Sequence, residues 1–128
     1  MTNQRQIIQR QTTLRKPIHC AGVGVHSNVG VSLTMLPAPA DTGIRFHRTD
    51  LGANAVIAAH ADNVIDTTLC TVLGAKGFSG ALRVATVEHL MAALAGAGID
   101  NATLEIDGPE VPVMDGSSAP FVFLLECA

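Results

Sequence analysis

The stretch Leu82-Arg-Val-Ala-Thr86-Val-Glu88-His89-Leu90-Met91-Ala-Ala-Leu94-Ala-Gly96-Ala-Gly98-Ile-Asp-Asn101-Ala102-Thr-Leu-Glu-Ile-Asp107 changes its apolar period twice. Leu82 to Ala85 suits a short strand. From Thr86 the apolar residues Val87, Leu90, Met91 and Leu94 follow the spacing of one helix face. Thr86 can cap that helix at its amino end, and Gly96 and Gly98 can end it. Ala102 to Asp107 then alternates with period two, as a half-buried strand does. A strand, a helix and a strand within 26 residues require a sheet that carries helices.

Working outward from this stretch, further alternating segments lie upstream. Val29 to Leu36 sets Val31, Leu33 and Met35 against Ser32 and Thr34. Pro37-Ala-Pro39-Ala-Asp-Thr-Gly43 stops it with turn chemistry. Ile44 to Arg48 alternates again, Gln11 to Ile18 reads as a first strand ending near Pro17, and short strands fit Ala55 to Ala59 and Thr68 to Leu73. Downstream, Ser117, Ser118 and Pro120 open a second helix over Phe121 to Glu126. Strands first and helices late predict an α+β fold: a two-layer sandwich of a mixed, mostly antiparallel sheet with two helices packed on one face. No repeat or linker divides residues 1–128, which read as a single domain.

Composition narrows the function classes. Of 128 residues 48% are apolar and the net charge is −3, which suits a globular core and supplies no basic stripe for phosphates. Four Phe with no Trp or Tyr give few platforms for stacking bases, so nucleic acid is not an expected partner. Cys20, Cys70 and Cys127 are odd in number and widely spaced, which fits a reducing compartment better than a disulfide framework. The polar start, Met1 to Gln6, leads into no apolar signal core, and no apolar run could form a transmembrane segment. A soluble, cytoplasmic protein is the expectation.

The chemistry-bearing residues begin with Glu88 and His89 at the start of the predicted helix. An imidazole there can offer a ring nitrogen to a metal, and the neighbouring carboxylate can accept a proton from water. The same two residues also suit an ordinary first helical turn with a surface-bonded histidine. His26 follows Gly22-Val-Gly24-Val25, where the glycines suggest close backbone approach, yet the third glycine of a dinucleotide fingerprint is missing. Asp66-Thr67-Thr68-Leu69-Cys70-Thr71 gathers a carboxylate, hydroxyls and a thiol. Cys70 would need a basic partner to act as a nucleophile and otherwise packs as a small apolar side chain. Asp115 precedes Gly116, a pairing common in turns for backbone reasons alone. A zinc hydrolase needs about three protein ligands. The sequence holds no His-Glu-x-x-His and no His-x-x-x-Asp, so the residues alone give half a site.

Several segments together resemble the UDP-3-O-acyl-N-acetylglucosamine deacetylase family. They are Gly22-Val-Gly-Val-His26-Ser27, Pro37 to Gly43, Arg48-Thr-Asp50, Asp66 to Thr71, Thr86 to Leu90 and Pro109-Glu-Val-Pro-Val-Met-Asp-Gly-Ser117, in family order along nearly the whole chain. The resemblance implies a hydrolase of lipid A and lipopolysaccharide biosynthesis, which removes the acetyl group from the 2-amino position of a UDP-sugar lipid precursor. It implies Zn2+ as cofactor, His89 as a zinc ligand and Glu88 as general base. Leu69 and Cys70 would line the site with His26 nearby, and Thr68 and Asp115 would support it.

Members of that family have two domains with the site between them. The second domain brings a His-x-x-x-Asp pair, a histidine acid, a threonine near the oxyanion and the acyl-chain passage, none of which maps onto these 128 residues. The expectation is therefore an amino-terminal fragment lacking the second domain. An ending within the apolar run Phe121 to Leu125 fits that expectation. Such a half-site would be inactive alone, and a separately encoded second-half chain is a candidate partner. Two other readings stand beside it. One is a non-enzymatic interaction module that keeps the fold; the other is a self-sufficient metal hydrolase using His26, His89 and either Asp66 or Asp115.

Overall fold

A computed structural model describes residues 10–75 and 82–128 of the chain. The polar start from Met1 to Gln6 lies outside the described residues. Among the described residues, eight strands, β1 (Ile18–Val23), β2 (Gly30–Pro37), β3 (Ile44–Arg48), β4 (Val56–Ala58), β5 (Val64–Asp66), β6 (Val72–Gly74), β7 (Arg83–Ala85) and β8 (Ala102–Ile106), accompany helices α1 (Glu88–Gly96) and α2 (Ala119–Cys127). The larger sheet has the order β1-β2-β8-β3-β4. In this sheet the β3–β8 pair is parallel, and β1–β2, β2–β8 and β3–β4 are antiparallel. This is the expected α+β architecture with a mixed, mostly antiparallel sheet.

The register explains the core. Leu33 pairs with Ile106, Met35 with Leu104, Phe46 with both Leu104 and Ile57, so the buried side chains fall on one face. Thr34, Arg45, His47, Thr103 and Glu105 take the other face, where Arg45 Nε donates to Thr103 Oγ1 at 3.1 Å. Leu90, Ala93 and Leu94 of α1 and Phe121 and Leu125 of α2 close the apolar face, and the two helices touch each other. At about 25 cal/mol per Å² of apolar surface, each of the Leu and Phe side chains contributes ~1.5–3 kcal/mol by burial.

Four details depart from the sequence reading. First, Gln11 to Pro17 forms no strand; only Thr13 bridges Asn101, and regular pairing starts at Ile18, past the proline that lacks an N–H. Second, the Thr68–Leu73 segment begins as a turn. Asp66 accepts a bond from Thr68 N at 2.9 Å, so the strand there is Val72–Gly74. Third, β5, β6 and β7 form a separate three-stranded antiparallel sheet, where a single sheet was expected. Fourth, Thr86 does not cap α1. Val87 takes the cap position without a side-chain bond, and Thr86 sits at a left-handed φ of 59° with its hydroxyl turned elsewhere.

Candidate functional site

The β1–β2 hairpin turns through Gly24 to Val29, closed by Gly24 N to Val29 O at 3.1 Å and Asn28 N to Gly24 O at 2.9 Å. Asn28 takes a left-handed φ of 54°, a conformation its short polar side chain tolerates. The turn carries His26 and Ser27. A second segment, Pro109 to Val113, runs between this hairpin and the end of β7. Ala85 N donates to Pro109 O, Val111 N to Ala85 O, and Val113 N to Val23 O. Glu110 is thereby delivered to a position between His26 and Thr86.

Glu110 is 2% exposed. Its Oε1 accepts His26 N at 3.0 Å and Ser27 N at 2.9 Å. Its Oε2 accepts His26 Nδ1 at 2.8 Å and the Thr86 hydroxyl. Burial pushes the carboxyl up, but the Thr86 hydroxyl, the Ser27 amide and the His26 ring outweigh it and hold the pKa at about 2. Glu110 is therefore an ionised acid inside the fold, satisfied at both oxygens. A side chain at Gly24 would overlap Glu110 Oε1 and Ser27 Oγ, so the glycine is required by close approach.

Beside this network lies a cleft of about 520 Å³ lined by His26, Thr68, Leu69, Cys70, Arg83 and Glu110, among others. The structure thus brings together His26, Thr68, Leu69 and Cys70 of the sequence candidates. Leu69 is 80% exposed at its rim. Arg48, itself buried, donates to Arg83 O at 2.8 Å and to Asp50 at 2.6 and 2.9 Å, which braces β7 from behind. The Arg48 side-chain bond holds the Asp50 carboxyl below the usual range.

Glu88 and His89 stand at the start of α1 and do not line that cleft. Thr71 joins the two regions: its carbonyl accepts Thr86 N at 2.9 Å, and its N–H donates to Glu88 Oε2 at 3.2 Å. Glu88 opens onto a smaller groove of about 270 Å³ shared with His60 and Thr71. The His89 carbonyl accepts the Ser118 hydroxyl at 2.9 Å. Asp115 accepts Ser117 N and Oγ at 2.9 and 2.7 Å; these bonds, with a smaller effect of nearby His89, hold its carboxyl below the usual range.

Among the described residues no three His, Cys, Asp or Glu side chains come close enough to hold a metal ion. The self-sufficient ligand set of His26, His89 and Asp66 or Asp115 is accordingly not assembled, and the residues present do not by themselves fit a zinc site. Also among the described residues, no helix is long and apolar enough to cross a membrane. Glu110, Ser27 and Arg83 were not singled out from sequence. The one local signal for Glu110 is an acid set among Pro109, Val111 and Pro112, too apolar a neighbourhood for a solvated carboxylate.

Residues 11–128 match the model of the UDP-3-O-acyl N-acetylglycosamine deacetylase family, and the chain belongs to that family. It is 55% identical over 119 residues to the UDP-3-O-acyl-N-acetylglucosamine deacetylase of Acidithiobacillus ferrooxidans, which covers 93% of this chain and 38% of the relative. The deacetylase of the same description from Chromohalobacter salexigens is 56% identical with the same coverage, and that of Cellvibrio japonicus 52%. The chain therefore spans about 38% of the length of these relatives.

Proposed function

We propose that this chain forms the amino-terminal part of a zinc-dependent deacetylase site, acting on a UDP-3-O-acyl-N-acetylglucosamine precursor of lipid A in the cytoplasm. The observation that carries the reading is 55% identity across 93% of the chain to a deacetylase of that description. In this reading His89 supplies one ligand to a zinc ion, and the remaining ligands come from residues beyond these 128. A single imidazole leaves most of the coordination shell to water, so the chain alone binds zinc weakly.

Glu88 is the general base. Thr71 N holds one of its oxygens, and the other has no hydrogen bond among the described residues, so it is open to a water proton. His26, Thr68, Leu69 and Cys70 form the wall against which the substrate lies, with Arg83 as a cationic group on the same wall. Asp115 supports the His89 end of α1. The chain constitutes one domain of a two-domain enzyme, and its partner is the second half carrying the missing ligands.

Two measurements on the purified chain test this. Calorimetric zinc titration should show weak binding that His89→Ala weakens further, and deacetylation of the UDP-sugar substrate should appear only when a chain bearing the missing His-x-x-x-Asp half is added. Tight one-to-one zinc binding or turnover by the chain alone would sink the half-site reading. Failure of a complementing half to restore turnover would favour a binding module that keeps the fold.

A further inference from the structure

We propose that Glu110 is a positioning residue that fixes the His26 ring with its proton on Nδ1, so that Nε2 meets the cleft as a hydrogen-bond acceptor. An ionised carboxylate accepts and cannot donate. Glu110 Oε2 lies 2.8 Å from His26 Nδ1, so the proton of that bond belongs to the ring. Nε2 has no hydrogen bond among the described residues, and the ring is 43% exposed on the wall of the cleft. In the neutral ring the group that Nε2 meets is therefore a donor, such as a hydroxyl or amide N–H of a ligand. Assigning that donor to the UDP-sugar rests on the deacetylase reading; the ring's tautomer does not.

The two Glu110 oxygens are not equivalent. Oε1 faces the backbone N–H groups of His26 and Ser27, which are fixed donors. Oε2 takes only the longer arm of the His26 N–H, at 3.3 Å, and otherwise faces groups that can reverse their roles: the Thr86 hydroxyl can rotate, and the imidazole can move its proton. In the isosteric Glu110→Gln the amide oxygen must take the Oε1 place, because an amide NH2 there would oppose two fixed donors. The NH2 then occupies the Oε2 place and donates to Nδ1. The ring answers by carrying its proton on Nε2.

Long-range nitrogen–proton NMR of histidine-labelled chain at about pH 9, above the usual imidazole range, reads the tautomer directly. The expected result is an unprotonated Nε2 for His26 in the wild-type chain and a protonated Nε2 in Glu110→Gln. A wild-type ring with its proton on Nε2 overturns the proposal without reference to any variant. So does a well-folded Glu110→Gln chain whose His26 tautomer is unchanged. A Glu110 that merely filled space would leave the ring's tautomer untouched. Neither outcome depends on zinc or turnover, so failure here is distinct from failure of the deacetylase reading.

Discussion

Glu110→Gln should make stability less dependent on acid. The ordinary glutamate pKa of 4.5 falls to about 2 in the folded chain, because the Thr86, Ser27 and His26 donors outweigh burial. The folded state holds the proton less tightly than the unfolded state does. The carboxylate therefore adds stability that is complete above pH 4.5 and is lost as the pH falls from 4.5 toward 2. At ~1.4 kcal/mol per pKa unit, that shift corresponds to ~3 kcal/mol. Several donors converging on a charged acceptor, each worth ~1.5–3 kcal/mol, account for a gain of that size after the cost of desolvation. It is a large part of the ~5–15 kcal/mol that holds an ordinary domain together. Glutamine mimics the protonated acid, so the variant should be less stable by up to ~3 kcal/mol at neutral pH. Urea unfolding of both chains between pH 7 and 2.5 reads the difference. The stabilities should converge as the pH drops below 4.5. Parallel curves, with the gap as wide at pH 2.5 as at pH 7, would refute the assignment of a depressed pKa to Glu110. Asp50, Asp66 and Asp115 also hold depressed carboxyls, but they are common to both chains and cancel from the comparison.

Two further perturbations follow from packing. Phe121→Ala removes a ring that is 1% exposed between α2 and the sheet and should cost ~3–5 kcal/mol in denaturant unfolding; a loss below 1 kcal/mol would mean that α2 is not packed as described. Gly24→Ala places a methyl against Glu110 Oε1 and Ser27 Oγ, and should cost ~1–3 kcal/mol by crowding a carboxylate held from both sides; an unchanged unfolding midpoint would contradict the close approach of the hairpin to Glu110.

What could be read from sequence was local. Leu33 and Met35, Leu104 and Ile106, and Leu90 and Leu94 each announce their face through a period that spans one element, and each lands in the core. The failures share a different cause. The Gln11–Ile18 strand fits by propensity but finds only the Thr13–Asn101 bridge before Ile18, and pairing partners are not written in a single segment. The separation of β5–β7 from the larger sheet is a matter of tertiary arrangement. Thr86 looks like a helix cap because threonine favours that place, yet its hydroxyl is committed to a carboxylate 24 positions downstream. Glu88, His89, His26, Leu69 and Cys70 were nameable from motif. That Glu88 faces a different groove from the cleft shared by His26, Leu69 and Cys70 was not.

The same non-local network gives a reason for a charge in this place. A buried acid paired only with another side chain is often replaceable by apolar groups of similar shape. Glu110 differs, because two of its donors are the backbone N–H groups of His26 and Ser27, which no substitution at those positions removes. An apolar residue at 110 would deprive both amides of that acceptor. The acid also meets Thr86, a β-branched residue at φ 59°, a conformation that costs ~1–3 kcal/mol unless its surroundings impose it. Glu110 through the hydroxyl and Thr71 through the amide supply that imposition. Thr86 immediately precedes Val87, Glu88 and His89, so the direction in which α1 leaves the sheet is set at this junction. One carboxylate thus fixes both the imidazole on the cleft wall and the entry of the helix that carries the proposed base and ligand.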